Sequence, residues 1–233
     1  MKGRDAKKPR RGRHAPPFDV LYEDADVIVV DKPVGIVTSF SGAARRSRPP
    51  GPRSLEELVD DYLRKGQLKA GKKAWLVHRL DRGTSGVVMF AKRPETAERF
   101  RSDWSNLTEK KYLAKVEGRL EDEAGVFESY LRDDPRTMVV SSVDDPAKGK
   151  FASTAWRRLS QEGAFTLVEA TLNSGRKNQI RVHFSEAGHP VAGDVKYGAA
   201  ASDRLYLHSS YLAFIHPRTG RRTEVFSPCP FAD

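Results

Sequence analysis

Cysteine is almost missing from this 233-residue chain: Cys229 stands alone, which rules out an internal disulfide and any cluster of thiolate metal ligands. Its place near the C-terminus points to no catalytic role. Long apolar runs are missing too. None approaches the roughly 20 residues needed to span a bilayer, and the basic N-terminus has no apolar segment behind it to make a secretory signal. His183, His189, His208 and His216 lack a short ligand spacing and read as structural or hydrogen-bonding groups, so no metal is expected. There is no coiled-coil pattern and no exposed apolar stripe. A cytoplasmic monomer with no membrane contact is the expectation.

Acidic charge is scarce in two stretches. Residues 1–14 set Lys2, Arg4, Lys7, Lys8, Arg10, Arg11 and Arg13 against Asp5, so this arm carries +6 of the formal net charge of +10. Residues 41–52 contain Arg45, Arg46 and Arg48 and no acid. Cations interspersed with Gly and Pro favour disorder in the free chain and bind a phosphate backbone by counterion release. A polyanionic partner, RNA, fits both stretches. A merely solubilising tail is the alternative for the arm, and RNA contact is the preferred reading.

What is present is an alternation of short strands and a few helices. Phe18–Tyr22 and Val27–Val30 read as strands, closed by Pro33 and Gly35. Ser54 with Glu57 is a capping box, opening a helix over 54–65 with Leu55, Leu58, Val59 and Leu63 inside and Glu56, Glu57, Asp60 and Asp61 on a solvated face. A second helix is predicted from Pro94 to about Asn106, and Lys110–Val116 alternates as a strand with Tyr112, Ala114 and Val116 on one side. Strands are predicted over Val126–Leu131, Thr137–Val143, Ala152–Leu159 and Ala164–Leu172, with short links that imply antiparallel pairing. A helix entered at Arg176 and ended at Gly188 buries Ile180, Phe184 and Ala187 and brings Asn178 and Lys177 near Arg181. The pattern alone is α+β.

The polar turn between the apolar runs at Leu76–Val77 and Val87–Phe90 is where chemistry is concentrated. It holds His78, Arg79, Asp81, Arg82, Thr84 and Ser85, with Gly83 and Gly86 free to bend or to admit a ligand. Flanking arginines favour the ionised form of Asp81. By pattern alone the favoured reading of the turn is a salt-bridged Asp81, with the glycines as ordinary strand punctuation. Its order, HRLDRGTSG, resembles the signature of the RluA-type RNA pseudouridine synthases. LYEDADVIVVDKPVGIVT resembles the opening of that family's catalytic domain, KKYLAKVEG its second motif and GRKNQIRVHF its third, with Lys177 and Asn178 in place of the usual Thr and His. HPVAGD, KYG and LYLHSSYLAFIHPRTGR continue the likeness from about residue 18 to 231.

The resemblance implies a bent, mostly antiparallel sheet flanked by helices, forming one catalytic domain over 17–233 after a basic arm over 1–16, with no separate N-terminal RNA-binding domain. It also implies that Asp81 is the catalytic carboxylate, that Arg181 pairs with it, and that Tyr112 lies against the uracil ring. A carboxylate suits uridine isomerisation as a nucleophile or as a base for a sugar proton, and no cofactor is needed. His78, Arg79, Arg82, Thr84, Arg176, Lys177, Asn178 and Gln179, with Arg45, Arg46 and Arg48, are candidate contacts to a flipped base and its backbone in ribosomal or transfer RNA. Two rivals remain: a noncatalytic RNA-binding or ribosome-assembly factor on the same fold, and a nucleoside hydrolase, which calls for a second placed carboxylate.

Overall fold

The computed structural model describes residues 16–40, 51–64 and 73–232. The basic arm and the arginines Arg45, Arg46 and Arg48 lie outside the described residues. The fold is α+β, built on an 11-stranded sheet. Its strands are β1 (Asp19–Glu23), β2 (Val27–Lys32), β3 (Trp75–Leu76), β4 (Ser85–Ala91), β5 (Thr108–Glu117), β6 (Ala124–Asp133), β7 (Val140–Val143), β8 (Lys150–Glu162), β9 (Phe165–Leu172), β10 (Leu207–Ile215) and β11 (Arg222–Phe226). The spatial order is β1-β2-β4-β10-β5-β9-β8-β6-β7, with β3 on β4 and β11 on β10. Every pair is antiparallel except β10 with β4, where His208 stands beside Ser85.

The antiparallel pairing matches expectation, but the strands do not run as a simple meander. β10 inserts between β4 and β5, and β6 pairs with both β7 and β8. Short links dictate hairpins; they do not dictate which strand a late segment joins.

Helices cover both faces. On one, α1 (Leu55–Arg64) and α4 (Gln179–Glu186) pack Leu55, Val59, Ile180 and Phe184 against Ile28, Val30, Val88, Phe90 and Tyr112. On the other, α2 (Pro94–Ser102) and α3 (Trp104–Leu107) set Phe100 and Leu107 against Val27, Val29, Val87 and Met89. β2 and β4 therefore read as unbroken apolar runs because both their faces are covered. Among the described residues no helix is long and apolar enough to cross a membrane.

Local chemistry explains most boundaries. The capping box forms: Ser54 N donates to Glu57 Oε2 at 2.8 Å and Glu57 N to Ser54 Oγ at 3.3 Å. Asp60, expected on the solvated face of α1, is instead buried and accepts the Ala74 amide at 2.5 Å, because the chain returning toward β3 crosses that turn. The single helix expected from Pro94 breaks into two at Asp103, whose ψ of 34° leaves the helical region. The strand expected from Thr137 begins only at Val140, because Asp134 N bonds to Val139 O and Met138 N to Asp134 O, closing a tight turn. The helix expected from Arg176 starts at Gln179, since Asn178 is left-handed at φ 55° and the Gln179 amide oxygen accepts Arg176 N at 2.9 Å. Ala187, expected in the core, is exposed beyond the last turn of α4.

Candidate active site

Asp81 sits in the turn ahead of β4, and a segment 40 residues upstream clamps it. Thr38 Oγ1 donates to Leu80 O at 2.7 Å and accepts Leu80 N at 3.1 Å. Gly35 N donates to Arg82 O at 2.9 Å, and Arg82 Nε returns a bond to Gly35 O at 3.0 Å. Lys32 is fully buried and spends its ammonium on the carbonyls of Pro33, Ile36 and Arg82 at 2.9, 2.9 and 3.3 Å. Burial pulls its pKa down to about 8, with Asp81 and Asp31 opposing the fall. The same segment takes the first amides of α1, Leu55 N to Val37 O and Glu56 N to Thr38 O. The backbone on both sides of Asp81 is thereby fixed to one helix and one strand.

Arg181 projects from α4 and donates from Nη1 to Asp81 Oδ2 at 3.2 Å. Its closer partner is Asp194, bound in a fork by Nε at 2.6 Å and Nη2 at 2.7 Å. Asn178 Oδ1 accepts from Nη1 at 3.0 Å, and the Tyr197 ring lies 4.9 Å from the guanidinium. Burial works against the charge, but the bonds to Asp194 and the field of Asp81 outweigh it and raise the pKa of Arg181. The side chain of Asp194 is 1% exposed and that of Asp81 32%. The first carboxylate is committed to the arginine; the second keeps an oxygen open to solvent.

That open side faces a cavity of about 480 Å³. Leu80, Tyr112, Leu172, Ile180 and Leu207 supply its apolar lining, and Asp81, Arg79, Thr84, Arg176, Lys177, Asn178, Gln179 and Arg181 line it as well. Asp81, Tyr112 and Arg181 therefore meet in one pocket, although they come from a turn, a strand and a helix. Burial raises the pKa of Tyr112, and the negative charge of Asp81 adds to the rise, so the phenol keeps its proton at neutral pH.

The remaining candidates divide. Arg79 is exposed at the pocket, and Arg176 is tethered there through Nε to Phe151 O at 2.9 Å. Lys177 precedes the first turn of α4 and pairs with Asp133 at 2.8 Å at the end of β6. Gln179 borders the cavity, but its amide is consumed by Ser174, Arg176, Ser153 and Thr154, leaving it a structural role. Arg82 turns from the pocket to Gly35. His78 also lies outside it: its ring packs 4.7 Å from Trp104 and Nε2 accepts the Met89 amide at 3.0 Å. Burial, with the nearby charge of Lys110, pulls His78 down to about 3, so it is neutral and a poor phosphate ligand. Gly86, at φ 109°, does not open the turn to a ligand. It lets β10 come close, since a Cβ there would lie 2.2 Å from Ser209 O.

Lys32, Thr38 and Asp194 are the residues sequence reasoning missed as supports of the site. Asp194 carried a signal, as the acid closing HPVAGD. The others look like ordinary turn residues. A further group of possible metal ligands, Asp24, Asp26 and His216, lies at the β1–β2 turn. His216 Nε2 binds Asp24 at 2.8 Å and Arg218 Nε binds Asp26 at 2.6 Å, so protein donors already serve both carboxylates.

Residues 26–186 match the model of the RNA pseudouridylate synthase family. The dual-specificity RNA pseudouridine synthase RluA of Vibrio parahaemolyticus is 31% identical over 223 residues, covering 91% of this chain and 84% of that one. The chain belongs to the RluA-type family of RNA pseudouridine synthases. It is thus an isomerase acting on RNA. Another relative, ribosomal large subunit pseudouridine synthase C of Buchnera aphidicola, is 32% identical over 227 residues, 90% of this synthase and 67% of the relative. The fold is shared with a solved structure, human RNA pseudouridylate synthase domain containing 4, at a TM-score of 0.73 and 21% identity over 91% of this chain and 89% of that one.

Proposed function

We propose that this synthase isomerises a specific uridine in ribosomal or transfer RNA, using Asp81 as its catalytic carboxylate on a base flipped into the 480 Å³ cavity. The observation that carries the reading is the division between two carboxylates on one arginine. Asp194 neutralises and orients Arg181, and Arg181 in turn fixes Asp81 by a single bond, so Asp81 retains an exposed oxygen beside Tyr112. In the reaction the bond from the sugar C1′ to N1 breaks, the uracil turns, a bond from C1′ to C5 forms, the C5 proton leaves and N1 takes up a proton, so the product is an isomer of the substrate. Nothing is oxidised or reduced. Asp81 starts the sequence as a nucleophile or by taking a sugar proton.

Tyr112 stacks on or hydrogen-bonds the uracil. Its raised pKa suits it to those roles and not to removing the C5 proton as a phenolate. Arg79, Arg176 and Lys177 line the cavity as phosphate contacts, which position the strand, while stacking and shape select the base. A ribosomal substrate is favoured by the Buchnera relative, named for the large ribosomal subunit.

The test is pseudouridine mapping of total RNA from cells lacking the synthase, complemented by wild type or by Asp81→Asn. A site lost on deletion and regained only with wild type is the expected result and names the substrate. Restoration by Asp81→Asn overturns the role of Asp81. Absence of any lost site turns the reading toward an RNA-binding factor on the same fold.

A further inference from the structure

We infer that Lys110 holds a backbone phosphate of the RNA strand beside the target uridine. The inference rests on the reading of the cavity as the uridine site. Lys110 lies on β5 two residues before Tyr112 and on the same side of the strand, where only 8% of it is exposed. Its ammonium meets no hydrogen-bond acceptor and no carboxylate among the described residues. Lys32, also buried, gives its ammonium to three carbonyls. What Lys110 meets instead is the indole of Trp104, whose ring centre is 5.4 Å from Nζ. A cation taken out of water without an acceptor is unfavourable, and burial pulls the pKa of Lys110 down to about 8.

Two segments flank the ammonium. A Cβ placed on Gly175 would lie 3.5 Å from Nζ, and Gly175, which has no side chain to stand in the way, lines the uridine cavity. The Trp104 ring also packs at 4.7 Å on His78. Each of these neighbours is next in sequence to an exposed cation of the cavity, Gly175 to Arg176 and His78 to Arg79. Lys110 thus adds a third positive charge to the two that these turns bring. His78 cannot serve as the missing acceptor. Its Nε2 accepts the Met89 amide, so the ring proton is on Nδ1, a buried donor that itself has no partner among the described residues. Donors without acceptors around a positive charge call for an anion, and beside a bound uridine the nearest anion is the phosphate of its own strand.

The experiment measures RNA binding by the full chain, with the mapped uridine in a synthetic strand whose flanking phosphates are replaced one at a time by uncharged methylphosphonates. For wild type, one replacement should weaken binding about tenfold; for Lys110→Met the same replacement should cost less than about twofold, because the partner charge is already gone. On the unaltered strand Lys110→Met should bind about tenfold more weakly, with the slope of log Kd against log salt reduced by about 0.7. Stability should move the other way. Methionine fills the place of the lysine stem without burying a charge, so free Lys110→Met should melt at or above wild type. A lysine that merely holds the fold predicts a lower Tm and an unchanged salt slope, and that result would overturn the inference. Equal losses for the two proteins at every phosphate would overturn the phosphate contact alone. Wild-type protein that binds the strand but leaves its uridine unmodified would remove the uridine-site reading and the contact together.

Discussion

Replacing either carboxylate on Arg181 by its amide has a different consequence. Asp81 makes one 3.2 Å contact from a half-buried position, so Asp81→Asn should fold within about 1 kcal/mol of wild type while making no pseudouridine. Asp194 is wholly buried and forked to the guanidinium. Asp194→Asn strands a buried cation and should cost about 3 kcal/mol in urea unfolding, with turnover lost as Arg181 swings toward Asp81. Equal stability of the two variants would refute this division of labour. At this scale much was legible: Asp81, Tyr112 and Arg181 each stand in a dense motif, and the three do share a pocket. Lys32 was not legible as a support. A lysine before proline looks like a solvated turn charge, and its burial depends on three carbonyls, one of them 50 residues away.

Elements were readable where the signal was local. The capping box at Ser54 and the alternation of β5 depend on neighbours a few residues apart, and both formed as expected. The registers that depend on distant partners were hidden, Gly86 being the clearest case. Its sequence neighbourhood offers a bend, whereas its actual task is to let β4 and β10 run parallel at close range. Gly86→Ala places a methyl against the Ser209 carbonyl at positive φ and should destabilise by about 3 kcal/mol or more, read as a lowered urea midpoint. Asp81 lies five residues upstream, so the residual folded protein should also turn over slowly.

Across the whole molecule, buried histidines set the response to acid. Burial pulls His78 to about 3 and His208 to about 4, against an ordinary value of 6.5. Below pH 6.5 the unfolded chain therefore binds protons that the folded chain refuses. The stability held by the neutral rings is complete above pH 6.5 and drains as pH falls toward 4 and below. Thermal melts should show Tm falling steadily from pH 6.5 to 4, and a flat profile would contradict the burial of both rings. Strand order is the global property least visible in sequence, because hairpin links constrain only neighbours in the chain.

The seat of β10 has a temporal consequence. The strand that follows Asp81 and the strand that bears Tyr112 do not touch along the sheet; both lean on β10, whose first residue, Leu207, comes more than 90 residues after Tyr112. A nascent chain on the ribosome has synthesised Asp81, Tyr112 and Arg181 well before the strand that joins their supports emerges. Long-range pairing of this kind forms late. The enzyme thus completes its pocket only once Leu207 has followed, and a chain interrupted before Leu207 carries Asp81, Tyr112 and Arg181 without the strand that joins β4 to β5.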